Sequence, residues 1–388
     1  MTPIEFNPSD NSYVDHELSV NLDSTEAFEG PEKLLEIWFY PNLEDVPAGS
    51  KTLRSISFDL WSQILDLVNC KILSIKSSKY MHAFLLSESS LFVYDHKLVL
   101  KTCGTTTTLY SLNAIFQLVK KELNWEFVLG GAQQPYKVFY SRRAFMFPDK
   151  QKSIHKNWSS EVEYLNEFFT NGSQYLIGRI DNSQWHLYIT DSNKEEPVVD
   201  YDETFEVLMT GIPADKARDF VTSRKPGFEI DGNQDLGHFL GISTSNNTGL
   251  NNIYEGDIQD TIIHDAFSFT PCGYSSNTIL DDKYYYTLHV TPEKGWSYAS
   301  FESNVNTKRF NTNNIEILTK VLKIFNPDKF QLTLFKNLNY TESELFSLTS
   351  LNGYNKIDRI VYDLGHYQLL YLSFEKDPNT LINGLSIA

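Results

Sequence analysis

The sequence predicts an α+β fold of antiparallel sheets covered by helices, and three observations support it. Short runs rich in β-branched and aromatic residues follow one another across turn residues, as KILSIK, MHAFLLSE, SLFVYD and KLVLKTC do between 71 and 103. Between such groups lie longer stretches with apolar residues three to four apart. The same order of strands, hairpins and helix recurs in both halves, which points to an internal duplication.

Taken in order, residues 1–26 are polar, acidic and without period, and read as a flexible tail. A single folded domain is expected from 27 to 388. FDLWSQILDLVN (58–69) places Leu60, Ile64, Leu65 and Val68 on one helical face. The four strand runs follow, with Asp95 and His96 marking a tight hairpin. TTTTLYSLNAIFQLVKKELN is a helix with Thr at its start and Lys near its end. EVEYLNEFF is a second helical stretch, and QYLIGRI and QWHLYIT are strands joined through Asp181-Asn182-Ser183. ETFEVLMTGI (203–212) is expected to be helical. Residues 213–258 are rich in Gly, Asn and Ser and read as a surface insertion. TIIHDAFSFTPCGYSSN, YYYTLHVTPE and SYASFESN resume the ordered chain. The helix NIEILTKVLKIF and the strands KFQLTLF, KIDRIVYDL and QLLYLSF complete it.

Composition narrows the function. The chain has 388 residues, 41% of them hydrophobic, enough for a large core. Its net charge of −17 argues against nucleic acid, whose phosphates need clustered Lys and Arg, but not against a cationic substrate. Three cysteines, Cys70, Cys103 and Cys272, make no disulfide framework and no C-x-x-C pair, so a structural metal site is not expected. The first residues lack the basic and apolar regions of a signal peptide, and no window reaches the roughly 20 apolar residues of a spanning helix. A cytoplasmic protein without a membrane partner is the expectation.

The chemistry is concentrated in LLSESSLFVYDHKLVLKTCGTTTT (85–108). Glu88-Ser89-Ser90 alone would be an ordinary polar centre between two apolar runs. Cys103 changes its weight, because it sits between a strand and the expected start of a helix, where the dipole favours a thiolate.

Six short elements, in this order, resemble those of the eukaryotic-type S-adenosylmethionine decarboxylase proenzymes: Phe28 to Glu36, Leu86 to Ser90, Lys101 to Thr106, Phe139 to Arg142, Phe269 to Ser275 and His289 to Glu293. The resemblance runs from about Phe28 to the last strands, and leaves out the 1–26 tail and the 213–258 stretch. Pro31 falls within the first element at a variable position.

The resemblance implies a four-layer α/β/β/α sandwich with two antiparallel sheets. It implies self-cleavage at Glu88–Ser89, giving a small chain (1–88) and a large chain (89–388). Ser89 would become a pyruvoyl group that forms a Schiff base with S-adenosylmethionine, in place of pyridoxal phosphate and without a metal. Cys103 would be the proton donor, with His289 as the processing base and Ser275 as its helper. Glu29 and Glu32 are associated with activity and processing. Phe28 and Phe269 would sandwich the adenine, Leu86 and Glu88 would line its edge, and Glu293 would hold the ribose. Glu36, Asp202, Glu206 and Glu302, with Phe139 and Ser141 nearby, would bind putrescine as activator. Asp202 and Glu206 are spaced as neighbours on a helix face. The product would supply aminopropyl groups for spermidine and spermine synthesis, and the family occurs as monomers and as dimers. Two rival readings remain: an inert relative that activates a partner decarboxylase, and a Cys/His hydrolase using Cys103 and His289.

Overall fold

In a computed structural model of the protein, residues 12–14, 29–127, 130–131, 133–179, 184–190, 202–222, 236–254, 262–338 and 343–378 are described. The chain divides into two compact units. One is built from Met1–Ser19 and Pro31–Asp200, the other from Val20–Gly30 and Tyr201–Ala388.

The first unit holds a nine-stranded antiparallel sheet. Its strands are β1 (Ser12–Val14), β2 (Lys33–Trp38), β3 (Ile72–Ser77), β4 (Met81–Leu86), β5 (Ser89–Tyr94), β6 (Lys97–Thr102), β7 (Lys137–Arg143), β8 (Gly172–Ile177) and β9 (Trp185–Thr190). They lie in the order β1-β3-β4-β5-β6-β2-β7-β9-β8. Alternation along the strands gives each face its character. Leu35, Ile37, Leu91, Val93, Leu98 and Leu100 face one way and pack against Trp61, Ile64 and Leu65 of the helix Phe58–Leu67. Leu112, Ile115, Phe116 and Val119 of the helix Ser111–Leu123 join the same core. Burying each such side chain contributes about 1.5–3 kcal/mol. A third helix, Trp158–Phe168, starts where the Asn157 side chain accepts the Ser160 N–H.

The second unit holds an eight-stranded antiparallel sheet. Its strands are β10 (Glu203–Thr210), β11 (Ile262–Ser268), β12 (Tyr274–Leu280), β13 (Tyr284–Thr291), β14 (Tyr298–Ser303), β15 (Lys329–Asn337), β16 (Tyr354–Leu364) and β17 (Tyr367–Lys376). Their order is β11-β12-β13-β14-β10-β15-β17-β16. Phe205, Val207, Leu288, Phe301 and Leu332 pack against Ile317, Leu318, Val321 and Phe325 of the helix Asn314–Phe325. Apart from β1, which is added beside β3, each strand of the first sheet has a counterpart eight strands later in the same position of the second. One topology is used twice, as the recurring order of elements led us to expect.

Three expectations need correction. Residues 203–210 form a strand, not a helix: Phe205, Val207 and Met209 alternate into the core, while Glu206 and Leu208 point the other way. The helix propensity of Glu, Leu and Met is overridden by pairing on both sides, with β14 and β15. The described parts of 213–258 are not a surface excursion. Phe220, Leu250, Ile253 and Tyr254 are buried in the core, and the helix Leu236–Thr248 packs so closely on β11 that Gly241 leaves no room for a Cβ. Within the expected tail, Ser12–Val14 pairs with β3; the rest of 1–26 lies outside the described residues.

Candidate active site

In the first unit, Leu86 pairs with Ser89 at the tight turn between β4 and β5, and Ser89 pairs with Thr102 at the end of β6. The turn imposes φ = +121° on Ser89, a region that residues with a side chain avoid and that costs on the order of 1–3 kcal/mol. Ser89 is buried, and among the described residues its Oγ has no hydrogen-bond partner. The backbone N–H of Cys103 donates to the Glu88 carbonyl oxygen at 2.9 Å. The bond joining Glu88 to Ser89 therefore has a hydrogen-bonded carbonyl on one side and an unengaged hydroxyl on the other.

The Cys103 loop is held at several points. Thr106 Oγ1 donates to the Cys103 carbonyl at 2.7 Å. The next carbonyl, that of Gly104 (φ = +62°), accepts from Lys33 Nζ at 3.1 Å and from Gln151 Nε2 at 3.2 Å. The Cys103 thiol donates to Glu88 Oε2 at 3.9 Å. Burial pushes the Glu88 carboxyl up to about 8, against the pull of Lys33 and the Cys103 hydrogen bond. Burial, with Glu88, Glu32 and Cys70 adding to it, raises Cys103 well above its ordinary value despite Lys33. Burial thus works against a thiolate at Cys103 and favours the thiol that a proton donor needs. Cys103 precedes the helix at Ser111 by a loop and a 3-10 turn, too far for the dipole to act.

Beneath this loop lies a buried ionic group that the sequence did not single out. Glu161 accepts from Arg142 Nε and Tyr140 Oη at 2.7 and 2.6 Å, and from His155 Nδ1 at 2.7 Å. Burial opposes the Glu161 charge, but the His155 hydrogen bond and the Arg142 charge outweigh it and hold the carboxyl below its ordinary value. His155 Nε2 in turn accepts the Leu109 N–H, tying the chain after the Cys103 loop to the same group.

In the second unit, Ser275 on β12 stands opposite His289 on β13, and Ser275 Oγ lies 2.9 Å from His289 Nδ1. Thr287, two residues earlier on the same face, has its Oγ1 2.9 Å from His289 Nε2 and donates to the Ser276 carbonyl at 3.0 Å. Thr287 was missed in the sequence; the signal was the i, i+2 spacing to His289 on a strand. Glu206 and Glu302 face each other across β10 and β14, and Glu302 accepts from Tyr285 Oη at 2.8 Å. Asp202 accepts from Tyr367 Oη, just before β10. Because this segment is extended, Asp202 and Glu206 are about 13 Å apart along the strand rather than one helical turn apart.

The other expected residues are placed as follows. Glu36 on β2 is opposite Phe139 on β7, and Ser141 is opposite Leu34. Glu36 accepts from Trp38 Nε1 at 2.6 Å and lies 3.5 Å from Lys97 Nζ, so it already has a counter-charge. Glu29, in the second unit, and Glu32, in the first, are both buried. Phe269 is buried edge-on to Phe267. Glu293 accepts from Trp296 Nε1 at 2.9 Å. Phe28 lies outside the described residues. Among the described residues, no helix is long and apolar enough to cross a membrane.

Residues 25–375 match the family model described as adenosylmethionine decarboxylase. The chain belongs to this family. It is 51% identical to the S-adenosylmethionine decarboxylase proenzyme of Saccharomyces cerevisiae, over 95% of this chain and 98% of that one. It is 35% identical to the proenzyme of Xenopus laevis, over 90% and 95%. A crystal structure of the Trypanosoma brucei AdoMetDC-delta26 monomer shares the fold, with a TM-score of 0.53 and 21% identity over 74% of this chain and 99% of that one. Membership makes the chain an S-adenosylmethionine decarboxylase, nothing in the comparisons supports the inert alternative, and polyamine synthesis is the family's setting. The same membership leaves the Cys/His hydrolase without support.

Proposed function

We propose that this decarboxylase generates its own prosthetic group by cleaving the Glu88–Ser89 bond. The observation that carries the proposal is the geometry at that bond: Ser89 at φ = +121° with an unpartnered Oγ, next to a carbonyl that accepts the Cys103 N–H. Ser89 Oγ attacks the Glu88 carbonyl carbon, and the Cys103 N–H stabilises the charge that develops on the oxygen. The C–N bond breaks, leaving an ester and a free Ser89 amine. His289 then takes the Ser89 α-proton, the Cβ–Oγ bond breaks, and Glu88 leaves as a carboxylate. The remaining enamine becomes an imine, which water hydrolyses with release of ammonia. The resulting pyruvoyl group supplies the electron sink for decarboxylation.

The expected site residues are assigned to the later chemistry. Cys103, kept as a thiol by burial, donates a proton to the substrate α-carbon. Phe28, Phe269, Leu86, Glu88 and Glu293 are assigned to the nucleoside. Putrescine is assigned to Asp202, Glu206, Glu302 and Glu36, with Phe139 and Ser141 nearby. The facing carboxylates of Glu206 and Glu302 support a dication there. We place the enzyme in the cytoplasm.

Denaturing intact mass tests the reading. The wild-type protein should give two chains split after Glu88, the large one lighter by one ammonia than hydrolysis would leave it, and Ser89→Ala should stay whole. An uncut wild-type chain, or a cut without loss of ammonia, would sink the proposal.

A further inference from the structure

Both ring nitrogens of His289 are engaged within its own sheet. Thr287 Oγ1, 2.9 Å from Nε2, donates its one hydroxyl proton to the Ser276 carbonyl at 3.0 Å. Towards the imidazole that oxygen acts as an acceptor, so Nε2 carries the ring proton. In the neutral ring Nδ1 is then the bare nitrogen, and it accepts from Ser275 Oγ at 2.9 Å. The chain Ser275–His289–Thr287–Ser276 runs between two adjacent strands in fixed register, with Ser275 opposite His289 and Ser276 opposite Leu288. Thr287 is fully buried, and Ser275 and His289 nearly so, which keeps the bonds from exchanging with water.

We propose that Thr287 is a positioning residue for self-cleavage: it fixes the His289 tautomer so that Nδ1, once the Ser275 hydroxyl turns its proton away, is the nitrogen that takes the Ser89 α-proton. This rests on the reading of His289 as the processing base. The hydroxyl takes no part in bond breaking. Its Oγ accepts Nε2–H before the transfer and continues to do so after it, when the ring is cationic and its N–H bonds are stronger. Without the hydroxyl, either tautomer can form and the imidazole loses an anchor.

Thr287→Val keeps the β-branched shape and removes the acceptor, while Thr287→Ser restores it. In freshly synthesised chain, Thr287→Val should slow cleavage about tenfold, the scale of one hydrogen bond to a reacting group, and Thr287→Ser should cleave close to the wild-type rate. The second readout does not depend on cleavage or turnover. In Ser89→Ala protein labelled with 15N-histidine, the His289 signal, assigned by its loss in His289→Gln, should be that of the Nε2–H tautomer, and Thr287→Val should abolish that preference. If the Val variant does not fold, the tautomer in the Ser89→Ala parent still decides: a proton on Nδ1 overturns the proposal. So does a folded Val variant that cleaves at the wild-type rate while His289→Gln is slow. Were His289→Gln itself to cleave normally, the base assignment would fall and take this proposal with it.

Discussion

Glu206 and Glu302 stand directly opposite each other on neighbouring antiparallel strands, 9% and 1% exposed. Side chains in that relation have Cβ atoms about 4.5–5.5 Å apart, where like charges repel and a cation between them is favoured. A linear diamine should therefore raise the melting temperature of the wild-type protein. Glu302→Gln keeps an acceptor for Tyr285 but removes one charge, and should weaken putrescine binding about tenfold or more, read by calorimetry. An unchanged affinity would place the diamine elsewhere.

The donor to the Glu88 carbonyl is a backbone group, so the proposed cleavage calls for no cysteine side chain. Cys103→Ala should self-cleave within several-fold of wild type. Its decarboxylation rate should fall by about 10²-fold or more, since a general acid typically contributes that much. Equal losses in both steps would mean that the thiol itself serves cleavage.

Glu161 is a buried carboxylate shared by Arg142, Tyr140 and His155. Replacing it with Gln leaves Arg142 buried without its charge partner, which typically costs about 3–5 kcal/mol. Urea unfolding of the uncleavable Ser89→Ala protein, with and without Glu161→Gln, should show that loss. It should also show slower cleavage in the wild-type background, because His155 anchors the chain after Cys103.

The Glu88 carboxyl gives a pH signature. Burial raises it to about 8 in the folded chain, above its ordinary value in the unfolded one. Between those values the folded state holds a proton that the unfolded state has released, so this contribution to stability falls as pH rises. Glu88→Gln in the Ser89→Ala background removes the titration. Relative to the parent's, its melting temperature should rise as pH goes from about 5 to about 8 and hold level above that. Parallel melting curves across that range would contradict the burial of this group.

The sheets were legible where alternation and turn residues agreed, as in the four strands between Ile72 and Thr102 and the run from Tyr274 to Ser303. β2 and β7 were not anticipated. KLLEIW and KVFYSRR carry charges at positions that are buried here, Lys33 and Arg142 among them, so their composition reads as surface. β10 was misread because its propensities favour a helix and only its neighbours decide otherwise. The motifs were legible, from Glu88 and Ser89 to His289, and two of their residues, Ser275 and His289, lie in contact. The upward push of burial on the Cys103 thiol was not legible, since no local sequence reports burial. Thr287 escaped because threonine in a strand is ordinary until its partner is known.

The repeated strand order has a consequence for inheritance. β5 begins with Ser89, and its topological counterpart β13 carries His289. On the proposed function, one copy of this strand order holds the nucleophile and the other the base. Neither copy can then stand in for the other. Damage to either half is therefore not buffered by the duplication that produced it.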